Sequence, residues 1–195
     1  MDNAVKLNKQ VFENIQITSQ ENMILKSMEH FYTNNNNVIL FMNIISIESG
    51  MSIRLIDYFV TKYSKINKII YKFNDETVNV YASYKQQLKA FQKKHFDPFS
   101  RGERIPYFMS NDCVITTIGQ LNFFRWFISK NILEYMLVNQ TVIEYNMNYH
   151  NKDEKIVSKL NKDIKIKKVK YSPNINKTFI NNIGNKQSKI IVSFN

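Results

Sequence analysis

Hydrophobic residues recur along this chain at two different spacings, and the switches between them outline a mixed helix-and-strand protein. Between Glu21 and Tyr32, Ile24, Met28 and Phe31 fall at helical intervals, predicting a short helix that the asparagine run 34–37 brings to an end. The apolar, β-branched run 38–47 predicts a buried strand, although a run of that length would also suit a helix. Ser52 is placed to cap a further helix, in which Ile56, Phe59, Val60 and Tyr63 follow the i, i+3, i+4, i+7 pattern. Lys62, Lys65 and Lys68 gather near its C-terminal end, where the helix dipole favours cations. Residues 69–73 and 77–81 flank Asn74-Asp75-Glu76 and predict a hairpin.

The next helix, from Ser83 to His95, is basic and amphipathic. Tyr84, Leu88, Phe91 and His95 share one face, Lys85, Lys89 and Lys93 form a stripe on the adjoining face, and Lys94 lies on the far side. Pro98 disfavours helix at Asp97, and Gly102 relaxes the turn that follows. Short strands are expected at 105–109 and 113–117, joined by Ser110-Asn111-Asp112. Thr117 with Gln120 reads as a capping box ahead of residues 121–128, which are apolar on almost every side and predict a central core helix. Residues 131–138 extend that helix or begin another. Beyond Gln140 the chain alternates like a strand (141–149), then suits a helix (151–161), alternates again (164–171) and loses its pattern from Ser172.

These elements add up to an α+β protein: one compact domain of short antiparallel strands packed with three or four helices. It spans residues 19–150, after a weakly periodic, partly ordered lead-in (1–18) and before a basic, Asn/Lys-rich C-terminal extension (151–195). A 44% apolar share with 13% aromatics is enough for a true core and excludes wholesale disorder. Four glycines and three prolines are too few for a sandwich or barrel of many tight turns. The one cysteine, Cys113, excludes an internal disulfide and a cysteine-based zinc site and fits a reducing compartment. Its strand-like neighbours suggest a buried core thiol. No signal-like h-region and no apolar run of about 20 residues is present, so a soluble intracellular protein without a membrane partner is expected.

Charge sharpens the picture of partners. The net +11 is segregated: residues 1–80 are neutral overall, 81–105 carry +4, 106–150 carry −1 and 151–195 carry +8. Such clustering is an argument about partners and not about fold. The stripe lysines are followed by Arg101 and Arg104, planar donors suited to phosphate oxygens. Phe96 and Phe99 beside them offer stacking surfaces or, more simply, wedges that pin the turn to the core. The expected nucleic-acid-binding set is Lys85, Lys89, Lys93, Arg101 and Arg104, helped by Lys165, Lys167, Lys168 and Lys170 in the extension. The partner is nucleic acid, DNA favoured over RNA, or else an acidic protein surface; a homo-oligomer is left open.

Catalytic chemistry finds little support. His30, His95 and His150 stand at no metal-ligand spacing from one another or from Cys113, so no metal is expected. His95, beside Asp97, is the best acid/base candidate, but its position on an apolar face marks a hydrogen-bonded core histidine. The glycine-rich dinucleotide and nucleoside triphosphate fingerprints and the serine-hydrolase elbow are absent. Asp57, Asp97 and Asp112 could in principle meet around a magnesium ion, yet their spacing does not favour it. The expectation is a non-enzymatic protein with no catalytic residues and no cofactor.

Three segments carry a resemblance: 55–67 (LIDYFVTKYSKIN), 84–101 (YKQQLKAFQKKHFDPFSR) and 116–126 (TTIGQLNFFRW). They resemble a conserved family of small basic uncharacterised proteins of nucleocytoplasmic large DNA viruses, of mimivirus and marseillevirus type. The likeness covers about residues 50–135, and the Asn/Lys/Ile surplus agrees with AT-rich coding. It implies a viral origin, with residence in the virion, or in the cytoplasm or nucleus of the infected cell. A virion structural or host-interaction role is the alternative it leaves. The resemblance supplies no catalytic residues.

Overall fold

In the computed structural model, residues 3–46, 50–109 and 112–152 are described. The chain runs through α1 (Asn3–Asn14), α2 (Ser19–Tyr32), α3 (Asn35–Ile45) and α4 (Ile53–Tyr58). A π-helical turn (Phe59–Tyr63) leads into α5 (Ser64–Ile66), then β1 (Ile70–Phe73), β2 (Glu76–Asn79) and α6 (Val80–Phe91). The hairpin of β3 (Ile105–Met109) and β4 (Asp112–Thr116) precedes α7 (Ile118–Ser129) and α8 (Ile132–Val138). Residues 140–152 are helical as well. The α+β class stands, with two separate two-stranded antiparallel sheets, and it is richer in helix than three or four.

The centre of the fold is α7, ten of whose twelve residues are buried. Phe123, Phe124 and Phe127 are wholly enclosed, and rings from other elements close on them: Phe41 of α3 lies 5.8 Å from Phe124, and Phe96 lies 5.2 Å from Phe123. Offset and edge-to-face ring packing of this kind adds to the burial of apolar area. From α2, the Tyr32 hydroxyl donates to the Leu121 carbonyl at 2.8 Å. The helix predicted around Ile56, Phe59, Val60 and Tyr63 forms with all four residues buried, and Ser52 caps it by accepting the Leu55 amide. Its middle is the π turn, which widens one coil of the helix. In β1–β2, Phe73 pairs with Glu76, so the turn is only Asn74-Asp75, with φ of 48° and 61°. That conformation suits Asn and Asp and matches the twist of a hairpin.

Three segments depart from expectation. Residues 38–45 of that run belong to α3, not to a strand, and residue 47 lies outside the described residues. Asn34 starts the helix by accepting the Asn36 amide, so the asparagine run is a cap as well as a stop. Val38, Phe41 and Ile44 then turn inward while Ile39 stays about half exposed, a one-sided burial that a helix achieves without a strand partner. Residues 141–149 are also helical. Their alternation hid a second periodicity, because Ile143 and Met147, four apart, pack on the core while Tyr145 and Tyr149, also four apart, face outward. The lead-in contains α1, whose seat is polar: Asn8 donates to the Phe108 carbonyl at 2.8 Å and accepts the Phe108 amide at 2.7 Å. An apolar-period search does not register such a residue.

Cys113 is exposed and not a core thiol. On β4 it opposes Phe108 of β3, the only sheet partner of β4 among the described residues, while the hairpin's inward face is supplied by Ile105, Tyr107, Met109 and Thr116. The helix expected over 151–161 is seen only as far as residue 152. Its remainder, the strand expected at 164–171, and Lys165, Lys167, Lys168 and Lys170 lie outside the described residues.

Candidate functional site

The basic helix begins earlier and ends earlier than its periodicity suggested. Asn79, the last residue of β2, accepts the Ala82 amide at 3.0 Å and so caps α6 straight out of the hairpin. The helix stops at Phe91 because Gln92 takes φ 56° and ψ 170°, a region that only glycine enters without strain. Lys93, Lys94 and His95 then form a single 3₁₀ turn. The stripe is therefore two helical lysines, Lys85 and Lys89, with Lys93 set beyond a break.

The turn after that break is anchored to α7 by buried polar groups. Asn122 donates to the His95 carbonyl at 3.0 Å, Gln120 donates to the Pro98 carbonyl at 3.0 Å, and the Asp97 amide donates to the Gly119 carbonyl at 3.2 Å. Gly119 is needed for this approach, since a Cβ there would stand 3.0 Å from the Lys94 carbonyl oxygen. Thr117 caps α7 by accepting the Gln120 amide, but the Gln120 side chain does not return the bond, being spent on Thr116 and Pro98. Phe96 is fully buried, a wedge as expected, with Tyr84 and Phe91 packed beside it.

Electrostatics sort the basic residues into used and unused. Arg101 is committed: its Nε and NH2 groups reach the Asp97 carboxylate at 2.9 and 2.6 Å, and its guanidinium lies 4.6 Å from the Phe99 ring. Lys94 pairs with Glu21 at 2.9 Å. The buried His95 places Nε2 3.0 Å from the same Glu21 oxygen, so it is a bonded core histidine and does not pair with Asp97. Burial alone would raise Glu21, but the Thr18 amide, Lys94, His95 and the Thr18 hydroxyl together hold it down at about 2. By contrast Lys85, Lys89, Lys93 and Arg104 are exposed and make no ion pair with another described residue. Lys85 and Lys89 border one depression, and Lys93 and Arg101 border a groove of about 270 Å³ beside Phe99.

Two of the three aspartates considered for a metal do come near each other. Burial raises the pKa of Asp57, the Asp97 charge adds to the rise, and Arg101, Lys93 and Lys62 oppose it. Asp112, exposed at the start of β4, belongs to the other hairpin. Among the described residues, no three His, Cys, Asp or Glu side chains gather as a metal site would require. No helix among them is long and apolar enough to cross a membrane.

One cation escaped the sequence reading. Arg125 of α7 is half-buried, and its guanidinium donates to the Ser27 carbonyl and hydroxyl at 3.2 and 3.1 Å and to Asn122 Oδ1 at 2.9 Å. All three partners are neutral, and burial lowers its pKa. In the sequence it stands inside an otherwise apolar run, whose pattern marks only a core helix.

Fold and site thus define a helix-rich α+β protein that carries a basic helix and pins the following turn to a buried central helix. The chain belongs to a family of unknown function, DUF7197, whose model matches residues 3–195. It is similar to "Uncharacterized protein L507" of Acanthamoeba polyphaga mimivirus, with 35% identity over 153 residues, 73% of this chain. The chain spans 59% of that relative's length. An uncharacterised giant-virus family is what the resemblance of the three segments implied, and these matches bear it out. No solved structure matches the chain.

Proposed function

We propose that this viral protein binds nucleic acid, DNA in the first place, by its phosphates and without reading sequence. The observation that carries this reading is the set of solvent-facing cations on a rigid support. Lys85 and Lys89 stand one turn apart on a helix capped by a hairpin at one end and anchored through its following turn to α7 at the other. Lys93 and Arg104 extend the positive surface, and none of the four makes an ion pair with another described residue. Arg101 takes a lesser part than its sequence position suggested, because Asp97 already occupies its bidentate edge. The extension adds a further +8 by sequence. Charge on a fixed helix face engages a backbone without ordering a flexible arm first, and the binding it yields is steeply salt-dependent.

The test is a salt titration of binding to a labelled duplex of arbitrary sequence. Affinity should be strong near 50 mM salt, and the variant Lys85→Glu/Lys89→Glu/Lys93→Glu should lose most of it while keeping a native circular dichroism spectrum. The slope of log affinity against log salt should also fall by about 3, one unit per lost phosphate contact. Negligible binding at low salt would end the nucleic-acid reading. Equal binding to poly-glutamate would turn it toward an acidic protein surface.

A further inference from the structure

A second positive site lies on the other side of α6. Gln87, about 160° around the helix from both Lys85 and Lys89, lines a groove of about 650 Å³ between α2, the start of α3 and α7. Its walls include Ser27, His30, Phe31, Arg125, Trp126 and Lys130, and no carboxylate lines it among the described residues. The volume falls within the range of small-molecule sites. Arg125 is the feature that requires explanation. A half-buried guanidinium normally faces an acid, since desolvating a cation costs free energy that a counter-charge must offset. Here the protein's partners are two hydroxyl or carbonyl oxygens of Ser27 and the amide oxygen of Asn122. These bonds use at most three of the five guanidinium donors, leaving two or more for a ligand. Lys130, at the same groove, is held at 2.7 Å by Glu76, an exposed carboxylate from which a competing anion can draw it.

We infer that this groove binds a phosphate-bearing small molecule, with Arg125 as the principal anion contact and Lys130 as the second. A phosphate presents three oxygens in different directions, and the groove answers with the free Arg125 donors, the Lys130 ammonium and the neighbouring His30 ring. The half-buried Phe31 and the exposed His30 supply flat surfaces beside the anion, which suits a nucleotide. The site stands apart from the lysine stripe and does not depend on it.

The chain carries its own reporter, because its one tryptophan, Trp126, lines the groove with Nε1 bonded to Ser83. Intrinsic fluorescence of the full chain is titrated with inorganic phosphate, with adenosine 5′-monophosphate and with adenosine. A saturable response to the monophosphate and none to adenosine is expected. A comparable response to inorganic phosphate would support the site with the free anion as its ligand, and a much tighter monophosphate response would assign a nucleotide. Arg125→Lys keeps the charge but not the fork, and should weaken binding roughly tenfold or more. Lys130→Gln, at a position that does not support the core, should weaken it several-fold. The triple glutamate variant of the lysine stripe should leave the response intact, which separates this site from the duplex-binding surface. Absence of a saturable response to phosphate and to the monophosphate, identical titration by adenosine, or unchanged affinity in both the Arg125 and Lys130 variants would overturn the inference.

Discussion

At the scale of single residues, two positions concentrate the physical interest of the basic region. Gln92 sits at φ 56°, ψ 170°, and such a conformation costs a side-chain-bearing residue about 1–3 kcal/mol. Gln92→Gly removes that strain, while the added freedom of the unfolded chain costs roughly 0.5–1 kcal/mol. A net gain of about 1 kcal/mol in urea unfolding is therefore expected, and a loss would show that the side chain contributes more than its backbone costs. Glu21 is the second. Its carboxyl is held at about 2 against an ordinary 4.5, so its folded form binds a proton less readily than its unfolded form. The stabilisation is complete above pH 4.5 and is lost as pH falls from there toward 2. The stability gap between the wild type and Glu21→Gln should thus be widest near neutrality and close on acidification; a gap that stays constant to pH 2 would refute the assignment.

Between elements, the decisive contact is the landing of the 93–98 turn on the first coil of α7. Gly119 permits it: an added Cβ would press on the Lys94 carbonyl at 3.0 Å, with the Asp97 amide and the His95 backbone 3.5 Å away. Helix propensity alone would favour alanine there by about 1 kcal/mol. Gly119→Ala should nevertheless destabilise the protein by about 1–2 kcal/mol in chemical denaturation, because backbone on both sides must give way. A rise in stability would mean the turn is not closely seated. The same contact shows what was legible. Residues 84–101 and 116–126 each stood out in the sequence, but nothing in their periodicity tells that Gln120 and Asn122 reach for the Pro98 and His95 carbonyls. Buried amides inside an apolar helix were the available hint.

For the whole molecule, legibility followed the source of the ordering energy. Where an apolar stripe sets the element, as in the helix of Ile56, Phe59, Val60 and Tyr63 or the enclosed α7, spacing was sufficient. Where one polar residue sets it, as Asn34 does for α3 and Asn8 for α1, spacing misled or was silent. The candidate surface was half legible in the same way: Lys85, Lys89, Lys93 and Arg104 could be read as exposed charge, whereas the engagement of Arg101 and the solitary position of Arg125 are consequences of tertiary packing. The seat of α1 also bears on how the chain is made. Asn8 and Phe108 are 100 residues apart, so α1 leaves the ribosome well before the strand that receives it. At about 5–20 residues per second that interval is roughly 5–20 s. Throughout it, Phe12 has no Tyr107 ring to rest on, and the helix made ahead of the other described elements must wait for its dock to be synthesised.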